Sequence, residues 1–266
     1  MAQLTIVTLV KSLMNKDVNL WVVIPAAGVG KRMQVGHPKQ YLKINDKTVL
    51  EYTISRFSES KQISKLIKGI VVVISPGDEY WAGLTVKSGL ESDFSSHLQS
   101  KVPLYVAPGG DERCHSVLNG LECLQGKASA EDWVMVHDAA RPCLHDDDIQ
   151  KLIDELWQHG TGGLLGLPVA DTLKFCGDNN RVKRTVSRNG LWRALTPQMF
   201  RYEKLISALK LAISEPEKIT DEASALESAG YEPVMIEGRW DNIKITHPQD
   251  LEQAKQILDE QLRRPR

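Results

Sequence analysis

Directly after an apolar run, Leu20 to Ile24, the chain reads Pro25-Ala26-Ala27-Gly28-Val29-Gly30-Lys31-Arg32-Met33, small residues with cations among them. Small residues at the carboxyl end of a strand let backbone N–H groups close on phosphate oxygens. Two known phosphate loops fail on spacing. The dinucleotide fingerprint needs a third glycine where Met33 stands, and the P-loop needs glycine at Pro25 and a hydroxyl residue at Arg32. What remains is a backbone cradle with Arg32 inside it and Lys39 shortly after, in Pro38-Lys39-Gln40-Tyr41. Two cations beside such a cradle suit a triphosphate whose charge grows in the transition state. Spacing alone leaves open a tight turn with two solvated basic side chains. A second chemical pattern, Asp146-Asp147-Asp148, resembles a metal cluster. It immediately precedes an amphipathic stripe, so a helix N-cap with dipole-favoured carboxylates is the reading preferred.

Elements that position these residues follow from periodicity. Leu20 to Ile24, Gly69 to Ile74, Pro103 to Val106, Trp133 to Val136 and Gly163 to Val169 are short apolar runs without alternation, as expected of strands covered on both faces. Between them lie helical patterns. Thr48-Val49-Leu50-Glu51 is a capping box followed by Leu50, Ile54 and Phe57 on one face. Ile149, Leu152, Ile153, Leu156 and Trp157 form a second apolar stripe, and Leu251, Ala254, Ile257, Leu258 and Leu262 a third. The sum is an α/β sheet wound with helices on both faces. Asp138 then falls at a strand's carboxyl end, the place favoured for ligands in such sheets. One segment breaks the alternation: Thr172 to Phe175 and Arg181 to Val186 read as two strands around Gly177-Asp178-Asn179-Asn180. This inserted hairpin arm, about 171–188, has little core of its own and is expected to pack on something else, such as a second copy of the chain.

Composition bounds the function. The 266 residues carry 33 Lys+Arg against 34 Asp+Glu, a net charge of −1, which disfavours a nucleic-acid binder. No apolar run approaches the ~20 residues needed to span a bilayer, which argues against a membrane partner. Cys114, Cys123, Cys143 and Cys176 form no CxxC pair and read as reduced thiols of a cytoplasmic protein. Residues 1–19 read as an extra leader. Leu4 to Val10 is apolar but lacks the flanks of a secretory signal, and a native start at Met14 is expected. Residues 20–266 read as a single domain.

Seven separated stretches give the chain a family resemblance. They are Pro25-Ala26-Ala27-Gly28-x-Gly30-x-Arg32-Met33, Pro38-Lys39-Gln40-Tyr41-Leu42, Gly109-Gly110-Asp111-Glu112-Arg113, Val136-His137-Asp138-Ala139-Ala140-Arg141-Pro142, Arg188-x-Gly190-Leu191-Trp192, Thr220-Asp221-Glu222-Ala223-Ser224 and Asp241-Asn242-Ile243-Lys244. Residues 20–258 resemble the 2-C-methyl-D-erythritol 4-phosphate cytidylyltransferases of non-mevalonate isoprenoid synthesis. The first stretch alone is shared with sugar-nucleotide pyrophosphorylases. The resemblance implies a Rossmann-like nucleotidyltransferase fold, a three-layer sheet with an inserted β-hairpin arm. It also implies transfer of CMP from CTP to methylerythritol phosphate with Mg²⁺.

Residue roles follow from the resemblance. The attacking group is a phosphate monoester, mostly dianionic at pH 7 because its second pKa is ~6, so no general base is needed. His137 is therefore read as structural, and catalysis as alignment plus cations. Arg32 and Lys39 correspond to the pair that neutralises the α-phosphate and leaving pyrophosphate. Pro25, Ala26, Ala27, Gly28 and Gly30 would hold the triphosphate, and Gly110, Asp111 and Ser116 the cytosine. Asp138 matches the residue beside the ribose and Mg²⁺, the metal resting mainly on the CTP phosphates; Arg141 would fix the same region. On the phosphosugar side the resemblance assigns Thr172, Arg188, Thr220, Asp241 and Lys244. Thr172 and Arg188 would reach the active site of a partner subunit in a homodimer joined through the arm. Lys244 and Arg188 would aim the substrate phosphate. Acidic residues are expected to be dispersed away from these cations. The competing readings are a ribitol-5-phosphate cytidylyltransferase, which shares the nucleotide half, and a catalytically silent nucleotide-binding protein.

Overall fold

The structure, a computed structural model, describes residues 18–28, 37–86, 102–214 and 219–263. Most of the expected leader, including Met14, lies outside the described residues. Asn19 is already tied to the fold: its backbone N–H donates to Asp132 Oδ1 at 2.9 Å, and its carbonyl accepts from Trp133 at 2.8 Å.

The expected strands form, in chain order, as β1 (Leu20–Pro25), β4 (Ile67–Ile74), β5 (Leu104–Pro108), β6 (Trp133–Val136) and β7 (Gly162–Pro168). A small antiparallel pair, β2 (Lys43–Ile44) and β3 (Lys47–Thr48), precedes the first helix. The arm is β8 (Leu173–Cys176) with β9 (Val182–Val186), an isolated two-stranded antiparallel sheet whose turn uses positive φ at Asn179 and Asn180. Besides that small pair, two strands of the large sheet go beyond the sequence reading: β10 (Trp192–Arg201) and β11 (Val234–Glu237). The large sheet runs β11-β7-β10-β6-β1-β4-β5. Only β10 is antiparallel to its neighbours. Pro197 hides β10 in the sequence, and the sheet accommodates it where the register with β7 shifts, between Ala194 and Gln198.

Successive side chains of β1 point to opposite faces, so it feeds two cores. Leu20, Val22 and Ile24 pack under α1 (Val49–Ser58) with Leu50, Ile54 and Phe57, and under the stripe of a later helix with Ile149, Leu152, Ile153 and Leu156. Trp21 and Val23 face the other side with Val117 and Leu121, Leu205 and Leu209, and Leu226. In order, the remaining helices are α2 (Glu79–Val86), α3 (Arg113–Glu122), α4 (Asp146–Leu156), α5 (Tyr202–Ser214), α6 (Glu222–Ser228) and α7 (Pro248–Arg263). Three layers result, as expected.

The capping box on α1 is present, with both Thr48 and Glu51 making their bonds. At α4 the reading needs correction. His145 is the N-cap, its ring accepting from Asp147 N at 3.3 Å, and the aspartates occupy the first turn. There their carboxylates still meet the positive end of the helix. In α7, Ala254, Ile257 and Leu258 are buried, whereas Leu262 is 66% exposed, one turn past the contact. Among the described residues no helix is long and apolar enough to cross a membrane.

Candidate active site

Strand order dictates where a crevice opens. The chain steps from β1 to β4 and β5 on one side, then returns to place β6 on the other side of β1. Loops leaving the carboxyl ends of β1 and β6 therefore diverge, and a cavity of about 560 Å³ lies there. Pro25, Ala26, Ala27 and Gly28 form one wall, Gly110, Asp111, Glu112, Arg113 and Ser116 another, and Asp138 and Lys244 the floor, with Lys39 at the edge.

Backbone contacts hold these walls at fixed spacing. Ala26 N donates to Val73 O at 2.7 Å and Gly109 N to Ile74 O at 2.7 Å, so the loops after β1 and β5 hang from β4. Gly109 has to be glycine, because a Cβ there would collide with that of Ala27. Gln40 donates to Ala26 O at 2.5 Å, and Lys39 Nζ to Ile245 O at 2.7 Å, which brings the segment after the phosphate loop onto the floor. Ser116 Oγ accepts from Gly110 N at 3.1 Å and donates to Glu112 O at 3.2 Å. Its hydroxyl thus shapes the loop itself.

The electrostatic centre is Asp138. Lys244 Nζ lies 2.8 Å from Oδ2, Arg113 Nε donates to Oδ1 at 3.1 Å, and Arg141 Nε stands 3.5 Å from Oδ2. Burial by itself would raise this carboxyl, but Arg113, Lys244 and Arg141 outweigh it and hold Asp138 far below the ordinary carboxylate range. Arg113 also grips Glu222, a residue with no exposed surface, through two bonds at 2.5 and 3.0 Å. The carboxylates of Glu222 and Asp138 raise Arg113 above its usual value against the desolvation that opposes them. Neither Arg113 nor Glu222 was singled out from the sequence, although both lie inside the quoted motif stretches. A paired Arg and Glu 109 residues apart carry no local signal.

His137 is placed as expected of a structural residue. Its Nε2 is 3.0 Å from Arg141 O, which can only accept, so Nε2 carries the proton and Nδ1 is free to accept from Thr196 Oγ1 at 3.0 Å. Thr196 Oγ1 in turn accepts from Asp138 N at 3.1 Å. Burial pushes the ring's pKa down to about 4, so the imidazole is neutral near pH 7.

Other expected residues fall elsewhere. Gly30 and Arg32 lie outside the described residues. Arg141 is buried beneath the cavity, donating to Asn242 O at 2.7 Å. Asp241 pairs with Arg239 and faces a different cavity of about 650 Å³ beside Trp240. Thr220 sits on a small recess of about 230 Å³ next to Arg113. Thr172 and Arg188 are exposed on the arm and line none of these cavities, Arg188 donating to Ala170 O. Acids are not dispersed away from the cations: Asp111, Glu112 and Asp138 share the cavity with Lys39, Arg113 and Lys244. Of the cysteines, Cys114 and Cys143 are buried, Cys123 is half-buried and Cys176 is exposed.

Comparisons with known proteins extend over most of the chain. Residues 20–260 match the family model described as 2-C-methyl-D-erythritol 4-phosphate cytidylyltransferase. A protein of that name from Hahella chejuensis is 49% identical over 239 residues, covering 90% of this chain and 92% of its own. Its namesake from Pseudomonas aeruginosa is 47% identical over 232 residues, covering 87% and 92%. The crystal structure of a Francisella tularensis protein with the same name aligns with TM-score 0.72 at 35% identity, covering 90% of this chain and 99% of that one.

Proposed function

Because the chain belongs to the 2-C-methyl-D-erythritol 4-phosphate cytidylyltransferase family, we propose that it transfers CMP from CTP to 2-C-methyl-D-erythritol 4-phosphate in the crevice between β1 and β6. A substrate phosphate oxygen attacks the α-phosphorus of CTP in line, the bond to the bridging β-oxygen breaks, and pyrophosphate leaves. The second product is 4-diphosphocytidyl-2-C-methyl-D-erythritol. No proton has to be removed from the nucleophile, which is mostly dianionic at neutral pH because its second pKa is ~6. The barrier is the approach of one anion to another, and fixed cations lower it.

The observation that carries this reading is Asp138 shared among Lys244, Arg113 and Arg141 at the floor of a glycine-lined crevice. Backbone N–H groups around Ala26 to Gly28 hold the triphosphate, and Gly110 and Asp111 face the cytosine. Ser116 keeps that loop in shape. Lys39 and Arg32 neutralise the leaving pyrophosphate and the α-phosphate, while Lys244 orients the incoming phosphate. Asp138 fits a divalent cation: it is held anionic, and Mg²⁺ is commonly bound by one or two carboxylates plus substrate phosphates. When bound, Mg²⁺ supplies charge neutralisation on the CTP phosphates; Asp138 would hold it directly or through water.

Thr172 and Arg188 complete the phosphosugar side from the arm of a second copy. Support comes from the arm's isolation from the large sheet and from its exposed Phe175 and Val182, at 52% and 59%. Thr220, Asp241 and Arg141 shape the same side from behind. The free thiols suit a cytoplasmic setting. Pyrophosphate release with CTP and Mg²⁺ tests the reading: methylerythritol phosphate should support turnover and ribitol 5-phosphate should not. Release with ribitol 5-phosphate alone, or with neither, would overturn it.

A further inference from the structure

Beside the Arg113 fork, the N-terminus of α3 brings three unlike donors together. Glu112, Cys114 and His115 each place one ligand atom within 4.8 Å of the other two. Cys114 Sγ is 4.0 Å from Glu112 Oε2 and 3.8 Å from His115 Nδ1. Tetrahedral zinc, with bonds of about 2.0–2.3 Å, needs ligand atoms about 3.5 Å apart. The three donors therefore close on an ion by side-chain shifts of a few tenths of an ångström to about an ångström. The loop they ride on is already set, since Gly110 packs directly against the Cβ of His115. An entry path exists as well: Glu112 and Cys114 line the recess of about 230 Å³ next to the active-site crevice.

We propose that Glu112, Cys114 and His115 form a binding site for a thiophilic divalent cation of the zinc class, distinct from the site of the nucleotide's Mg²⁺. The donor chemistry separates the two. A thiolate and an imidazole select borderline-soft ions, whereas Mg²⁺ takes oxygen ligands in octahedral geometry and keeps water. As the zinc–sulfur bond forms, the Cys114 thiol proton passes to solvent, and a water fills the fourth position. The site does not rest on the cytidylyl-transfer reading. A Glu–Cys–His triple at consecutive and next-but-one positions escapes the sequence because it matches no CxxC spacing.

The test uses the full, reduced protein titrated with Co²⁺ in excess Mg²⁺, read by the thiolate-to-cobalt charge-transfer absorption. The expected result is a saturable band at one equivalent, displaced by Zn²⁺ and unchanged in Cys176→Ser. Cys114→Ser should abolish it. His115→Ala, which retains the Cβ against Gly110, should weaken Co²⁺ binding at least ~10-fold with its circular dichroism intact. If Cys114→Ser does not fold, His115→Ala decides alone. Absence of the band in the unsubstituted protein, its persistence in Cys114→Ser, or unaltered affinity in His115→Ala would overturn the site.

Discussion

At the scale of single residues, the proposed cytidylyl transfer asks almost no acid–base chemistry of the crevice. His137, buried next to Asp138, is neutral and occupied on both nitrogens, so it has no proton to exchange with a substrate. The charged groups are instead stationary. Asp138 fixes Lys244 and Arg113 at the floor, and Glu222 fixes Arg113 from behind. Lys39 approaches from the opposite edge on a segment tied to Ala26. Lys39→Ala and Arg32→Ala should each lower kcat by about 10²–10³-fold, the scale for losing a group that stabilises transition-state charge. Unfolding midpoints should barely move. Steady-state kinetics with both substrates saturating checks this, and near-normal turnover in either variant would remove that residue from the proposed machinery. Lys39, Asp138 and Lys244 were all legible in the sequence because each sits in a compact motif. Arg113 and Glu222 were not, since their importance is a pairing between distant segments.

At the scale of elements, the arm is the part least explained by the chain that carries it. Among the described residues β8 and β9 pair only with each other, and Arg184 covers the exposed Phe175 ring at 5.1 Å in place of a hydrophobic core. A hairpin of this kind is marginal in isolation, which supports the proposal that it docks on another surface. If Arg188 serves a partner's active site, Arg188→Ala should raise the KM for methylerythritol phosphate by at least ~10-fold, the factor for ~1.4 kcal/mol of lost charge-assisted binding. Calorimetric titration should still give unaltered CTP affinity. Loss of CTP binding would contradict the division between a nucleotide side built within one chain and a phosphosugar side completed by another. The hairpin was readable because Gly177 to Asn180 is strong turn chemistry between β-prone runs. β10 was not, because a proline at 197 argues against a strand unless a neighbouring irregularity relieves it.

At the scale of the whole molecule, the buried His137 network makes stability depend on pH in a definite direction. The imidazole's pKa falls from 6.5 to about 4 on folding because burial removes its hydration. Above pH 6.5 it is neutral in both states and contributes no pH dependence. Between 6.5 and 4 the unfolded chain binds a proton that the folded one refuses, so stability falls as pH falls, by up to about 3 kcal/mol in total. Denaturant midpoints measured at pH 7 and pH 5 should show this decline, and His137→Gln should lose its share of the slope. An identical slope in the variant would assign the acid sensitivity to other groups. The sequence by itself determined the alternation that builds three layers, the small-residue segment that follows β1 and the family to which those motifs point. These are local properties: apolar periodicity, small residues at a strand end, and turn chemistry within a few positions. Only the tertiary structure decided that Asp138 is shared by Arg113, Arg141 and Lys244, that acids accompany the cations in the crevice, and that Asp241 faces another cavity. Charges act through space over a few ångströms, and Arg113 with Glu222 and Lys244 with Asp138 join segments more than a hundred residues apart.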